Sequence, residues 1–183
     1  RYSLLSGGKR LRPVLLLAAI EPFNGKLEDA LPFAGAVELI HTYSLVHDDL
    51  PAMDDDDLRR GKPTSHRAFG EAMAILAGDA MLTLAFEWMS AGSQPNALKA
   101  IREISRRAGA SGMVAGQTAD ILMGGQPSDA GMLRYIHYCK TADLITAPLV
   151  AGVLLGGADA HVEEAAAAYR TPLGLALQIT SDL

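Results

Sequence analysis

The stretch that decides the fold is residues 32–64, which read PFAGAVELIHTYSLVHDDLPAMDDDDLRRGKPT. From Pro32 to about Leu50 the apolar residues recur with the period of an α-helix, and Pro51 disfavours its continuation. Six aspartates therefore come at or just past the C-terminal end of an apolar helix. Because the helix dipole is negative there, the carboxylates are poorly placed unless a cation lies among them.

The acidic segment, residues 48–57, indicates a metal bound together with a phosphorylated substrate. Its ligands are all oxygens, which suit a hard cation such as Mg²⁺. Mg²⁺ is commonly completed by substrate phosphates, and Arg59, Arg60 and Lys62 follow closely enough to hold such phosphates. A solvated acidic loop is the alternative. An EF-hand is excluded because its alternating ligands, central glycine and terminal glutamate are missing.

The rest of the chain is also patterned as helices. At 183 residues it is long enough to bury a core, and its alanine and leucine content favours helix. We predict no strand, and a single domain over residues 1–183 with an all-α bundle. The other helices are expected from Pro13 to Ile20, about 70 to 90, about 97 to 122 after an N-cap at Asn96, from Ser128 or Asp129 to about Ile145, 149 to 155 after an interruption at Pro148, and from about Val162 onwards.

Composition excludes several classes of protein. A net charge of −5 argues against nucleic acid as a partner. Cys139 is the one cysteine in the sequence, so no intramolecular disulfide can form, which fits a reducing compartment and predicts a cytoplasmic protein. No uninterrupted apolar run reaches about 18 residues, so no integral membrane segment is predicted. The chain begins at Arg1 without methionine and stops at Leu183 within an apolar pattern, so we expect both ends to be incomplete.

Several cationic positions suggest anion binding, each with a structural alternative. The segment GGKRLRP at residues 7–13 could hold a diphosphate through glycine backbone amides and nearby cations, or it could be an ordinary basic helix N-terminus. Lys140 interrupts an apolar helix, and it could pair with Asp143 at the surface or point inward at a phosphate.

Two residues of the 32–50 helix are placed to contact a substrate bound at Asp48. His41 lies two helical turns earlier on the same face and could donate to a phosphate, or it could be a structural histidine. Tyr43 lies about one turn below Asp48, where it could form the floor beneath a hydrocarbon tail. Its alternative role is as a plain core residue.

Taken together, the motifs resemble the short-chain trans-prenyl diphosphate synthases of bacterial type, most of all farnesyl and geranyl diphosphate synthases. The resemblance implies an isoprenoid synthase type helical bundle around a central cavity, a homodimer and a requirement for Mg²⁺. The motifs are GGKRLRP at 7–13, HTYSLVHDDLPAMDDDDLRRGKPT at 41–64, GEAMAILAGDAML at 70–82, YIHYCKTADLI at 135–145 and LGLALQITSDL at 173–183.

The resemblance also assigns roles to individual residues. It implies Mg²⁺ ligands at Asp48, Asp49 and Asp54, with a weaker one at Asp182. It implies a clamp on the allylic diphosphate made by Arg59 and Lys140. Further residues of the allylic and catalytic site are Thr141 and Gln178. The isopentenyl diphosphate site is implied at Gly8, Lys9, Arg12, His41 and Arg60. By the same resemblance, Tyr43 limits product length.

The implied reaction is a Mg²⁺-dependent head-to-tail condensation. Isopentenyl diphosphate would be joined to dimethylallyl or geranyl diphosphate to give geranyl or farnesyl diphosphate. One alternative is a non-catalytic partner subunit of a prenyl synthase, which Ser181 favours because the second aspartate-rich motif should begin there. Another is a terpene cyclase, which needs no second diphosphate site, so Lys9, Arg12 and Arg60 count against it.

Overall fold

The computed structural model describes residues 1–23, 25–124, 130–169 and 171–172. Within those residues the chain is a helical bundle, as predicted from the apolar periodicity. Its α-helices are α1 (Leu11–Ile20), α2 (Leu27–Asp48), α3 (Ser65–Phe69), α4 (Glu71–Ser90), α5 (Ala97–Ala108), α6 (Met113–Met123), α7 (Ala130–Ile136), α8 (Asp143–Leu155) and α9 (Ala160–Ala168). A short 3₁₀ turn (Glu21–Phe23) follows α1, and a π-helical segment (His137–Ala142) joins α7 to α8.

The core is organised by α2 and α8. Helix α2 packs against α1 and α4, and α8 packs against α1 and α5. Fully buried side chains such as Phe33, Ile40 and Leu144 join these helices into one apolar cluster. Helix α2 ends at Asp48, as Pro51 predicts, so its last turn carries the first aspartate of the acidic segment to the edge of the core.

Helix α2 also begins earlier than its apolar pattern indicates. Its first residue is Leu27, and Pro32 lies inside the helix. Glu28 and Asp29 occupy the first turn, where the positive end of the helix dipole stabilises carboxylates. That polar first turn carries little apolar periodicity, which is why the sequence pattern placed the start at Pro32.

Two predicted helix boundaries are wrong. The helix expected over 97–122 is divided into α5 and α6 by residues 109–112. A Cβ at Gly112 would lie 2.0 Å from the carbonyl oxygen of Arg107, so this tight turn needs glycine. The interruption expected at Pro148 does not occur, because Pro148 lies within α8. Burial of α8 on nearly all sides outweighs the roughly 3 kcal/mol that an interior proline costs.

The prediction that the chain has no strand is also wrong, though by only a few residues. Strand β1 (Leu58–Arg59) pairs antiparallel with β2 (Lys62–Pro63). Arg60 and Gly61 make the turn with φ values of 55° and 75°, the left-handed pair that a tight two-residue hairpin requires. This hairpin places Arg59 and Arg60 beside the C-terminal end of α2.

Two helical stretches are long and apolar enough to cross a membrane by length and composition, α4 and the run Ala130–Leu155. In the most apolar part of Ala130–Leu155, 72% of the residues are buried inside the bundle, so internal packing accounts for its composition. The corresponding share of α4 is 22%. Helix α4 therefore presents apolar side chains that the described residues do not cover.

Candidate active site

A cavity of about 470 Å³ lies between α2, α6 and the π-helical segment. Its lining combines polar and apolar side chains. The polar residues include Arg12, His41, Asp48, Gln117, Lys140 and Thr141. The apolar residues include Leu45, Met53, Met113, Val114, Ile121 and Leu144. The arrangement suits a ligand with an anionic head and a hydrocarbon tail.

Asp48 is the carboxylate of the acidic segment that faces this cavity. The side-chain amide of Gln117, on α6, donates a hydrogen bond to Asp48. Burial raises the pKa of Asp48 to about 6; Asp54 and Asp49 add to the rise, while Lys140 and Arg59 oppose it. A cation beside Asp48 and Asp54 would remove this penalty on the ionised form.

Asp49 occupies a different environment from its neighbour. Its side chain is 3% exposed and lines a separate small cavity with Thr42, Arg59 and Ser65. Nε of Arg59 donates a hydrogen bond of 2.6 Å to Asp49, so the carboxylate is already paired. In this structure Asp49 therefore lies beside Arg59 and not in the Asp48 cavity, and the prediction that both aspartates bind one metal stays a prediction.

Lys140 projects from the π-helical segment toward α6. Its Nζ donates a hydrogen bond of 2.6 Å to Asp120, and not to Asp143, which pairs instead with Arg107. Burial alone would lower the pKa of Lys140, but Asp120, Asp48 and Asp54 together raise it. Lys140 is thus a cation held at the cavity, and the surface pairing with Asp143 considered from the sequence is wrong.

Glycine at position 116 allows α6 to lie against the π-helical segment. A Cβ there would be 2.2 Å from the backbone nitrogen of Lys140, so any side chain would push the two elements apart. Lys140 and Thr141 both belong to the π-helical segment and both line the cavity. Such turns occur frequently at functional sites.

A second cationic group lies at the α1 side of the cavity. Arg12 contributes a buried Nε that has no hydrogen-bond partner among the residues that the structure describes. Burial lowers the pKa of Arg12 to about 10, with Glu38 opposing the shift. Burial lowers the pKa of His41 to about 3, and the positive charges of Arg12 and Arg60 add to the effect. An anion bound there would accept a hydrogen bond from Arg12 and would oppose the effect of the positive charges on the pKa of His41.

The glycines of the 7–13 segment bring it against the hairpin. Gly8 has φ of 132°, and a Cβ on it would lie 2.8 Å from the guanidinium of Arg60. Arg60 also donates a hydrogen bond to the carbonyl oxygen of Gly7. Lys9 is exposed beside this contact. The predicted isopentenyl diphosphate residues are therefore contributed by two neighbouring segments, and Arg12 and His41 line the main cavity.

The remaining predicted positions divide into two groups. Tyr43 and Thr141 line the same cavity as Asp48. Gln178 and Asp182 lie outside the described residues, as does Ser181, so their predicted roles stay predictions.

The carboxylates of this site suit a Mg²⁺ ion whose coordination shell is completed by substrate phosphates. Among residues 1–23, 25–124, 130–169 and 171–172, no three His, Cys, Asp or Glu side chains form a closed metal cluster. Mg²⁺ commonly takes one or two carboxylates together with waters and substrate phosphates. Asp54 is near enough to raise the pKa of Asp48, and the backbone N–H of Asp54 donates to the carbonyl oxygen of Asp48 at 2.9 Å.

Sequence reasoning assigned no role to three residues of this site. Gln117 and Asp120 are polar residues three apart on an apolar helix, a spacing that could have placed them on one face. His47 also lines the cavity and directly precedes Asp48. Their partners come from other helices, which the sequence alone could not identify.

Fold and site together define an all-α protein whose cavity combines carboxylates, cations and an apolar wall. The chain belongs to the polyprenyl synthetase family, whose model matches residues 1–183. The predicted family and the isoprenoid synthase type bundle are therefore confirmed.

Relatives of known name and structure agree with this assignment. A farnesyl diphosphate synthase of Geobacillus stearothermophilus is 48% identical over 187 residues, covering 100% of this chain and 63% of the relative. A chloroplastic geranylgeranyl pyrophosphate synthase 7 of Arabidopsis thaliana is 48% identical, covering 100% and 54%. The apo crystal structure of a FPP/GFPP synthase from Zymomonas mobilis matches with a TM-score of 0.95 at 42% identity, covering 100% and 68%. The chain thus spans roughly half to two thirds of the lengths of these proteins.

Proposed function

We propose that the protein is a Mg²⁺-dependent prenyltransferase that condenses isopentenyl diphosphate with an allylic diphosphate. The observation that carries this proposal is the 470 Å³ cavity, which Asp48, Lys140 and Arg12 line together with apolar side chains. A diphosphate head matches the charged side chains, and an isoprenoid tail matches the apolar ones. Membership of the polyprenyl synthetase family supports the same reaction.

Asp48 and Asp54 would hold Mg²⁺, with Lys140 and Arg59 close by to contact the allylic diphosphate. When bound, the metal supplies Lewis-acid stabilisation of the negative charge that develops on the departing diphosphate. Lys140 is suited to the same task because Asp120 fixes its ammonium group before substrate arrives. Such preorganised charge is most effective where it is shielded from water.

Arg12, His41 and Arg60 would bind the diphosphate of the second substrate. Nε of Arg12 is buried without a hydrogen-bond partner among the described residues, and His41 is kept neutral by burial, with the nearby arginines adding to the effect. The neutral imidazole donates a hydrogen bond without adding a further buried positive charge. The allylic C–O bond would then break with release of diphosphate, and the isopentenyl double bond would form a bond to the allylic carbon. The carbon of the isopentenyl unit next to the resulting cation would lose one proton, which the released diphosphate would accept, to give the longer product.

We further propose a product of ten to fifteen carbons. Tyr43 supports this length because its ring lines the cavity about one helical turn from Asp48, which shortens the space available to the tail. The names of the relatives, which include both farnesyl and geranylgeranyl synthases, give no single length.

We also propose a homodimer formed through α4, in a cytoplasmic protein without an integral membrane segment. Met73 and Leu76 on α4 are 57% and 59% exposed, and they belong to an apolar surface that includes Phe69. Burying this surface in a second copy would be favourable. Sedimentation of the wild-type protein and of Leu76→Asp tests it: the proposal predicts a dimer that the aspartate weakens, and a monomeric wild type contradicts it.

Diphosphate release distinguishes the proposed reaction from its alternatives. A prenyltransferase releases diphosphate at a substantial rate only when both substrates and Mg²⁺ are present. Release from the allylic substrate alone would indicate a terpene cyclase, and no release would indicate a partner subunit. Asp48→Asn should abolish the signal, whereas Thr83→Ala, on an exposed position of α4, should leave it unchanged.

A further inference from the structure

We propose that His47 is a specificity-determining positioning residue that sets the depth of the cavity by bracing Tyr43 against α4. The inference rests on the proposed prenyltransferase function and identifies what holds its chain-length floor in place. Tyr43 belongs to α2, so by itself it could rotate away from a growing hydrocarbon chain. Three observations show how His47 links it to a second helix.

The first observation is the anchor between His47 and α4. Nε2 of His47 lies 3.1 Å from the carbonyl oxygen of Ile75, so the ring donates this hydrogen bond across the α2–α4 interface. Asp79, one turn further along α4, places a carboxylate oxygen 3.9 Å from the same nitrogen. His47 is therefore fixed by α4 while its ring lines the cavity.

The second observation is the space that α4 leaves for the ring. Gly78 is buried in the middle of α4, where glycine costs roughly 0.5–1 kcal/mol relative to alanine. A Cβ at this position would lie 2.0 Å from Nε2 and 2.5 Å from Cδ2 of His47. The imidazole thus occupies the volume that any other residue at position 78 would fill.

The third observation is the contact between the two rings. Tyr43 and His47 are one turn apart on α2, and their ring centroids are 5.7 Å apart at an interplanar angle of 81°. Such an edge-to-face pair is a favoured arrangement of flat side chains. Tyr43 therefore contacts His47, and His47 is hydrogen-bonded to the backbone of α4. Both helices thus hold Tyr43 in place.

Removal of the brace should lengthen the product. In His47→Ala, Tyr43 loses its support and can rotate under pressure from the tail. We expect the ratio of the product one isoprene unit longer to the wild-type product to rise by about tenfold. This corresponds to a change of about 1.4 kcal/mol in the difference between the two competing barriers. His47→Phe keeps the edge-to-face contact without the anchor and should give a smaller rise.

Gly78→Ala provides a test in the opposite direction. The added methyl group would displace the imidazole from α4 toward Tyr43 and the cavity, so shorter products should increase. Since the two variants move product length in opposite directions, a general loss of stability cannot account for both. Thr83→Ala, on the same helix with a side chain bonded to the carbonyl of Asp79, is the matched control and should leave product length unchanged.

The double variant Tyr43→Ala/His47→Ala separates bracing from direct wall contact. If His47 acts through Tyr43, the double variant should give the same product distribution as Tyr43→Ala. A double variant with still longer products, or unchanged product length in both His47→Ala and Gly78→Ala, would overturn the inference. If the wild-type protein forms no elongated product, the proposed function itself fails, which is a different outcome from elongation with unaltered length.

Discussion

Arg59 is hydrogen-bonded to Asp49, with Nε at 2.6 Å and Nη2 at 2.5 Å from the same carboxylate oxygen. Burial raises the pKa of Asp49, and Arg59 opposes that rise. The neighbouring Asp48 faces the main cavity and is bonded by Gln117 instead. Two adjacent aspartates of one acidic segment therefore meet different partners, and their replacement should have different consequences.

Asp49→Asn should impair the handling of diphosphate more than the binding of metal. Loss of the carboxylate charge removes the partner that orients Arg59, and we expect kcat/KM to fall about tenfold. Mn²⁺ titration followed by electron paramagnetic resonance measures the metal separately. Asp48→Asn is the control that should weaken Mn²⁺ binding, and an equal loss in Asp49→Asn would contradict this division of roles.

Asp48→Asn should stabilise the folded protein while removing its activity. The pKa of Asp48 is raised to about 6, so ionisation above that pH opposes folding, and the penalty disappears as pH falls toward the ordinary value. We expect a gain of about 1 kcal/mol at pH 7.5, allowing for solvent screening of this half-buried group. Urea unfolding at pH 7.5 and pH 4.5 measures it, and a destabilised variant at pH 7.5 would refute the account.

In the ligand-free protein, His41 should remain neutral at pH values well below its ordinary pKa. Its pKa is lowered to about 3, so folding is favoured as pH rises from about 3 through 6.5 and that contribution is lost under acid. Inorganic diphosphate bound at Arg12 would offset the positive field and raise the pKa of His41. Imidazole resonances followed by NMR, with His41→Asn for assignment, test both statements. A free-protein pKa near 6.5, or no response to diphosphate, would be inconsistent with them.

The ion pair between Arg107 and Asp143 should make a large contribution to stability. The two side chains are 5% and 2% exposed and meet at 2.9 Å, joining α5 to the start of α8. Asp143→Ala leaves a buried guanidinium with reduced compensation, so we expect a loss of about 3 kcal/mol in the free energy of unfolding. The control is Arg106→Ala. The Arg106 side chain is 51% exposed where it pairs with Glu103, so we expect a loss under about 1 kcal/mol.

Local chemistry made much of the fold predictable from the sequence. Apolar periodicity and Pro51 located the C-terminal end of α2, and Gly70 marked the start of α4. The errors came from tertiary context. Pro148 would end an isolated helix, but burial within the bundle keeps α8 continuous. The hairpin around Arg60 is too short to give a strand pattern.

The sequence predicted which residues belong to the candidate site better than it predicted the residues that they contact. Asp48, Arg12 and Lys140 were identified as ligands or clamps, and all three line one cavity. The sequence could not show that Lys140 pairs with Asp120, because that contact requires α6 and the π-helical segment to pack closely at Gly116. The separation of Asp49 from Asp48 likewise depends on the side-chain directions at the end of α2.

Elongation of an allylic diphosphate in this cavity can be measured by sizing the product. The protein would be incubated with labelled isopentenyl diphosphate, Mg²⁺ and either dimethylallyl or geranyl diphosphate, and the products separated by chromatography. We expect a product of ten to fifteen carbons that disappears when the metal is chelated. Products of twenty carbons or more would contradict the role of Tyr43, and the absence of elongation in the presence of Mg²⁺ would contradict the proposed function.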